Sequence, residues 1–389
     1  MDELKKGASY PEQFVFSDLE SAVARIGNSV PPMFMRSIAW QIRAAIFGGP
    51  PLIPFPKSMS YLDVLDEAWA QHLTPRAADA PTVISTFAGC GGSSLGYSMA
   101  GFRELLAVEW DQNAVDTFRL NFPDVPVYHG DIAALSVDDC LARTGLKPGE
   151  LDVFDGSPPC QGFSTAGKRI IDDPRNQLFR EYVRLLRGLQ PKVFVMENVS
   201  GMVKGKMKLI FADILRELKA SGYVVSARLM NAMYFNVPQS RERMIFIGVR
   251  EGLGIAPSHP KGAALKVSTG NASIGLNACS LRPMSERAAA LWQRIPIGSN
   301  GTVASGPNKD FSLFKVNPRS VCPTIRKEQT SGNGLMHWAE RRWLSTEEMA
   351  RFASFPDSYR WLSAESAVNR IGNSVPPLFM RSIAQHIRE

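Results

Sequence analysis

The sequence predicts an α/β protein: a mostly parallel, doubly wound sheet plus a small irregular domain. Three observations predict it. From residue 81 onward short β-rich runs alternate with helical patterns, which implies parallel strands joined by crossover helices. The notable polar residues all fall at the carboxyl ends of those runs, where open α/β sheets collect their ligands. Between about 251 and 340 the alternation stops, and Ser, Asn and Gly accompany ten Lys+Arg against five Asp+Glu.

The elements follow in order. Val83-Ile84-Ser85-Thr86-Phe87 is a first strand that runs into Ala88-Gly89-Cys90-Gly91-Gly92. A helical pattern carrying Leu95 and Met99 comes next, then a strand at Leu105-Leu106-Ala107-Val108-Glu109 and a helix over 114–120. Val127-Tyr128-His129-Gly130-Asp131 ends a third strand, Leu151-Asp152-Val153-Phe154-Asp155-Gly156 a fourth, and Val193-Phe194-Val195-Met196-Glu197 a fifth. Met244-Ile245-Phe246-Ile247-Gly248 reads as a further strand. Gln239-Ser240-Arg241-Glu242-Arg243 leads into it, and alternation puts both arginines on one face. Two guanidinium groups there suit a phosphate or a polar base edge; a salt-bridged strand edge is the plainer reading. Glycines after the first strand let the backbone approach a ligand closely. Glu109 lies about 20 residues further on, where an acid that binds ribose hydroxyls belongs.

Composition narrows the function. With 389 residues, 44% hydrophobic and 21% charged, the chain folds around a core and is not a disordered tail, a collagen or a disulfide scaffold. It has no run of 18 apolar residues for a membrane span and no signal-peptide order at its start, so a cytoplasmic location is expected. Five widely spaced cysteines without a Cys-x-x-Cys pair fit reduced thiols, and no metal is expected. The net charge of +7 conceals an asymmetry: residues 1–150 hold 11 Lys+Arg and 18 Asp+Glu, and the remainder holds 33 and 19. A basic C-terminal portion suits a polyanion such as nucleic acid.

One repeat stands out. Glu20-Ser21-Ala22-Val23-Ala24-Arg25-Ile26-Gly27-Asn28-Ser29-Val30-Pro31-Pro32 returns as Glu365-Ser366-Ala367-Val368-Asn369-Arg370-Ile371-Gly372-Asn373-Ser374-Val375-Pro376-Pro377. Residues 1–43 align without gaps on 346–388, although Gly7 stands opposite Phe352 and Val15 opposite Arg360. Two distant copies are not a solenoid. Residues 44–80 read as a linker, with Gly48-Gly49-Pro50-Pro51 and Pro54-Phe55-Pro56, and with a short amphipathic helix near 61–72.

Pro158-Pro159-Cys160-Gln161-Gly162-Phe163-Ser164 follows the fourth strand. The prolines stiffen the loop that presents the thiol, and Lys168 and Arg169 favour the thiolate. Glu197-Asn198 ends the neighbouring strand, so a nucleophile and an acid can converge, the arrangement of covalent catalysis.

In these residues the chain resembles the DNA (cytosine-5) methyltransferases of bacterial restriction–modification systems. The likeness covers about 81–250 and about 315 to the end. It rests on Phe87-Ala88-Gly89-Cys90-Gly91-Gly92, Pro158-Pro159-Cys160-Gln161, Glu197-Asn198-Val199, Gln239-Ser240-Arg241-Glu242-Arg243 and Gly372-Asn373-Ser374-Val375-Pro376-Pro377, in the family's order. The resemblance implies the S-adenosyl-L-methionine-dependent methyltransferase fold and that cofactor, with cytosine in double-stranded DNA as acceptor. It implies that Phe87, Ala88, Gly89, Cys90, Gly91 and Gly92 border the cofactor, Glu109 takes the ribose, and Trp110, Asp131 and Ile132 meet the adenine. Pro159 and Leu178 would line the pocket, and Asn373, Ser374 and Val375 would close it. Cys160 would attack carbon 6 of a flipped-out base, Glu197 would protonate nitrogen 3, Arg243 would hold the base carbonyl and Arg241 would support both.

The resemblance divides the chain into a duplicated segment 1–43, a linker 44–80, a catalytic domain 81–250, a target-recognition domain 251–340 and a returning segment 341–389. DNA contacts are expected from Gln161, Ser164, Lys168, Arg169, Gln239, Arg319, Thr324, Arg326, Lys327 and Gln329, to base edges or to phosphates. Lys204, Lys206 and Lys208 form a further basic cluster that suits the DNA backbone or a solvated helix start. The family carries the Gly-Asn-Ser-Val-Pro-Pro segment once; of the two here, the C-terminal copy is expected to fill the cofactor site. Further expectations are a cognate restriction endonuclease, a monomer open to swapping of the duplicated segment, and association with the nucleoid. A tRNA cytosine-5 methyltransferase would need a Cys-Phe-Thr motif and a zinc deaminase a His-x-Glu motif; neither is present. A methyltransferase-like DNA-binding regulator would not need Cys160, Glu197 and Arg243.

Overall fold

The computed structural model describes residues 60–159, 177–203, 207–263, 265–327 and 334–389. Cys160, Gln161, Ser164, Lys168, Arg169, Lys204, Lys206, Gln329 and the duplicated segment 1–43 lie outside the described residues, as does the side chain of Lys208. Ser60–Glu389 forms one compact unit.

Its centre is a seven-stranded sheet: β1 (Thr82–Thr86), β2 (Arg103–Glu109), β3 (Val127–His129), β4 (Val153–Gly156), β5 (Val193–Val199), β6 (Tyr223–Asn231) and β7 (Glu242–Arg250). The order is β3-β2-β1-β4-β5-β7-β6. The pairs among β1–β5 are parallel, and β7 lies antiparallel between β5 and β6. Strand order reverses between β1 and the adjacent β4, so the connections leaving these two strands run to opposite sides and leave a crevice at their carboxyl ends. β6 is the strand that the sequence pattern did not mark. It is a sheet edge whose residues are half-exposed, so it lacks the solid apolar run of β1 or β5.

Helices cover both faces: α1 (Tyr61–Leu73), α2 (Gly92–Met99), α3 (Gln112–Asn121), α4 (Val137–Thr144), α5 (Gln177–Leu189) and α6 (Met207–Lys219). Alternate strand residues feed two cores. Val83, Val153 and Val195 face one; Ile84, Phe154 and Phe194 face the other. The helix expected near 61–72 is α1. Ser60 and Asp63 form a capping box, and Tyr61, Leu65 and Ala68 are buried. Residues 60–80, expected as linker, are therefore part of the packed unit; Arg76 pins them by donating to the carbonyls of Phe102, at 3.2 Å, and Gln71, at 2.7 Å.

The irregular region holds α7 (Glu286–Arg294) and a two-stranded parallel ribbon of β8 (Leu313–Lys315) and β9 (Gly334–Met336), around Leu291, Ile295 and Trp343. Val316, Cys322, Ile325 and Leu335 instead join the main core, which ties the region to the sheet. The chain ends with α8 (Thr346–Phe352), α9 (Ala364–Asn373) and α10 (Pro377–Arg388). α10 lies against α2 so closely that a Cβ at Gly96 would stand 2.6 Å from the Met380 Cβ. Among the described residues no helix is long and apolar enough to cross a membrane.

Candidate active site

The loop after β1 turns sharply. Phe87, Gly89 and Gly91 all take positive φ, at 55°, 57° and 92°. That conformation is cheap for glycine and strained for Phe87, so the loop holds Phe87 against its preference. Glu109 is what holds it. Its carboxylate is buried and accepts from the backbone nitrogens of Gly89 at 2.8 Å, Trp110 at 2.9 Å and Asp111 at 2.9 Å. A carboxylate has about four acceptor positions, so three are taken and one remains.

Beside this loop lies a cavity of about 350 Å³ lined by Phe87, Val108, Glu109, Trp110, Gly130, Asp131, Ile132, Pro159 and Leu178. Seven of these were expected from the sequence; Val108 and Gly130 were not. Both follow from register, because Val108 precedes Glu109 on β2 and Gly130 donates to the Glu109 carbonyl at 3.1 Å. The Trp110 ring is 77% exposed at the cavity mouth, unusual for a large aromatic and suited to stacking. Asp131 caps the turn behind it through Ala133 N at 2.9 Å.

Ala88, Cys90, Gly91, Gly92, Asn373, Ser374 and Val375 do not line this cavity. All of them but Asn373 form a packed shoulder behind it. The Cys90 Sγ meets the Ser374 Oγ at 3.5 Å, the Tyr359 hydroxyl donates to the Cys90 carbonyl, and a Cβ at Gly92 would overlap Ser374. Burial pushes the Cys90 thiol up to about 11, so it is a packing thiol and no nucleophile. Asn373 is exposed and donates to Asn369 at 3.1 Å.

The other wall is built by β4, β5 and β7. Glu197 lies near the carboxyl end of β5 and forms a 2.6 Å ion pair with the Arg243 Nε on β7. Asn198, its neighbour, is buried and donates from Nδ2 to the Pro158 carbonyl at 3.1 Å. It thereby fixes the loop two residues before Cys160. Arg241 does not touch Glu197. It is buried and donates to the carbonyls of Ile325, at 3.1 Å, and Gly372, at 2.9 Å, tying β7 to the returning segment. Burial, then the charge of Arg243, pulls its guanidinium below its ordinary value.

A cavity at the sheet switch point, an acid–arginine pair and the Pro158-Pro159 segment thus share one crevice. The family model described as C-5 cytosine-specific DNA methylase matches residues 81–272 and 282–389. The chain belongs to this family. It is 36% identical over 329 residues to the Type II methyltransferase M1.HphI of Haemophilus parahaemolyticus, covering 79% of this chain and 86% of that protein. It is 30% identical over 345 residues to M.NgoPII of Neisseria gonorrhoeae, covering 82% and 98%. In fold it is similar to a DNA modification methyltransferase encoded within an Escherichia coli prophage, with a TM-score of 0.67 at 24% identity over 79% of this chain and 99% of that one. The protein is a DNA cytosine-5 methyltransferase, and it requires a methyl donor.

The residues expected on DNA separate into two groups. Arg319, Arg326 and Lys327 are exposed. Gln239 and Thr324 make internal hydrogen bonds, and for Gln239, which is buried, this corrects the expectation of a DNA contact. Gln239 is 1% exposed and its Oε1 accepts from Ile325 N at 3.1 Å. The Thr324 hydroxyl donates to the Ser240 carbonyl at 2.7 Å. Together they clamp residues 239–240, just before β7, to the chain at 322–325.

Proposed function

We propose that this methyltransferase transfers the methyl group of S-adenosyl-L-methionine to carbon 5 of a cytosine flipped out of duplex DNA, through a covalent adduct of Cys160. The observation that carries the reading is the convergence on one crevice of the 350 Å³ cavity, the Glu197–Arg243 pair and the Asn198–Pro158 bond that precedes Cys160.

The cavity fits the donor's nucleoside. It offers an exposed indole face, apolar walls from Phe87, Ile132 and Leu178, and one free acceptor position on Glu109. That count assigns Glu109 one ribose hydroxyl, since the backbone holds its other positions. When bound, the donor supplies an electrophilic methyl group on a sulfonium.

The chain's own groups act on the base. The Cys160 thiolate adds to carbon 6 while Glu197 delivers a proton to nitrogen 3, and the ring becomes an enamine nucleophilic at carbon 5. Arg243 turns from Glu197 to the base carbonyl. After methylation, loss of the carbon-5 proton to water expels Cys160 as the thiolate, and nitrogen 3 returns its proton to Glu197. A stacked base exposes none of these atoms to the crevice, so the base leaves the duplex. Arg241, Cys90 and Ser374 hold the two walls together. Residues 251–340, with Arg319, Arg326, Lys327 and Gln329, and the loop carrying Gln161, Ser164, Lys168 and Arg169 are assigned to DNA, and the restriction–modification setting implies an endonuclease for the same site.

The test is transfer of label from S-adenosyl-L-[methyl-³H]methionine to DNA. Parent protein labels duplex DNA; Cys160→Ser abolishes labelling while leaving DNA binding intact. Labelling of tRNA but not DNA, or full activity in Cys160→Ser, overturns the reading.

A further inference from the structure

The returning segment fits its seat through a small set of contacts. Arg370 pairs with Asp111 at 2.9 Å, and the Gly372 carbonyl accepts from Arg241 at 2.9 Å. A Cβ at Gly372 would overlap the backbone at Arg326 and Lys327, so only glycine enters there. Ser374 and Val375 abut Gly92; Met380 abuts Gly96; and Arg388 donates to the Ala100 carbonyl at 3.0 Å.

Every one of these residues has an identical counterpart at the other end of the chain: Arg25, Gly27, Ser29, Val30, Met35 and Arg43. Between 20–43 and 365–388 four positions differ, at 24, 33, 40 and 41. Their counterparts Asn369, Gln385 and His386 are not buried, and Leu378 against Met33 conserves volume. The upstream halves differ where burial is complete. Phe352 and Arg351 are fully buried, and Gly7 and Lys6 stand opposite them; the Tyr359 hydroxyl that reaches Cys90 has Phe14 as its counterpart.

We propose that residues 20–43 are a second key for the seat of residues 365–388, able to complete the enzyme when the C-terminal key is missing. The preserved half carries the shape and charge that the seat reads. The eroded half explains why the C-terminal copy holds the seat in the full chain. The function of the duplication is then a reserve docking element, and the partner of the seat is a segment of this same polypeptide.

The experiment uses full-length protein and a chain truncated after Ser363. The truncated chain keeps DNA methylation within about tenfold of the full chain, because the seat is refilled. Adding Gly27→Leu to the truncated chain lowers methylation by at least about 100-fold, because the seat admits no side chain there. Gly27→Leu in the full chain changes nothing. A truncated chain that is inactive or fails to fold overturns the proposal, since a seated key would restore the buried surface. Equal activity of the truncated chain with and without Gly27→Leu also overturns it. Dilution identifies the donor of the key: constant specific activity means the same molecule and falling activity a second copy, and both support the exchange.

Discussion

The two walls of the crevice are built on opposite plans. On the donor side, Glu109 is committed to three backbone nitrogens, and the loop from Phe87 to Gly92 is wedged between β2 and the returning segment. On the base side the two charged groups are satisfied by each other, Glu197 by Arg243 at 2.6 Å. A contact so placed keeps the carboxyl and the guanidinium engaged with each other until another group separates them. The donor wall is preorganised; the base wall is held closed by its own chemistry. On the proposed function, an incoming ring must outcompete an existing bond at the base wall, which places discrimination between bases there.

The sharpest way to break this comparison is Glu197→Gln. It removes the proton source of the proposed mechanism and leaves Arg243 without its partner. The turnover number falls by about 10²–10⁴, the range for loss of a general acid, while the KM for the methyl donor stays within about twofold. Steady-state kinetics with both substrates varied checks it; a rise in donor KM matching the fall in turnover would show that the walls are not independent.

The donor wall answers to packing. Gly92→Ala pushes a methyl group into Ser374 and the Val375 carbonyl, and costs about 1–3 kcal/mol of stability by overpacking. Thermal unfolding and donor titration together test it: both the melting temperature and the donor affinity fall, because the same contact seats the returning segment and fixes the loop.

How much of this was legible in the sequence follows the same division. The donor wall was readable because its residues are local. Glycines, an acid about 20 residues on and an acidic strand end are spaced by a βαβ unit, and the structure gathers Phe87, Glu109, Trp110, Asp131 and Ile132 around one cavity. The base wall was readable in its types but not in its pairings. Arg241 and Arg243 sit two residues apart, yet one is buried on Gly372 and the other pairs with Glu197. Only the antiparallel placement of β7 beside β5 decides which is which. Asn198 carried no signal beyond its place after Glu197, and its bond to Pro158 is long-range. The burial of Gln239 was not legible because a buried junction and a DNA-facing edge can use the same polar residue type. β6 escaped because an edge strand lacks a two-sided apolar run.

A smaller effect sharpens the donor wall. Trp110→Ala removes an exposed ring with few protein contacts to lose. Stability stays within about 0.5 kcal/mol of the parent, as for surface substitutions, while donor affinity drops by about tenfold through lost stacking. Isothermal titration beside thermal unfolding separates the two; a matching fall in stability would make the ring a structural element.

The smallest effect lies beneath the loop. The end of Glu104 is buried against α2, where it accepts from the Ser94 hydroxyl at 2.9 Å, and burial pushes its carboxyl up to about 7. The folded chain thus holds a proton that the unfolded chain releases near the ordinary glutamate value of about 4.3. A carboxyl raised in this way contributes stability that is fully present below about pH 4 and is lost as pH rises through about 7. Glu104→Gln keeps the shape and the acceptor for Ser94 but cannot ionise. Its melting temperature falls less than the parent's between pH 5 and 8, and the two curves converge at the acid end. Equal slopes across that range would show that Glu104 is charged in the folded protein, and that the donor wall rests on an ion and not on a neutral acid.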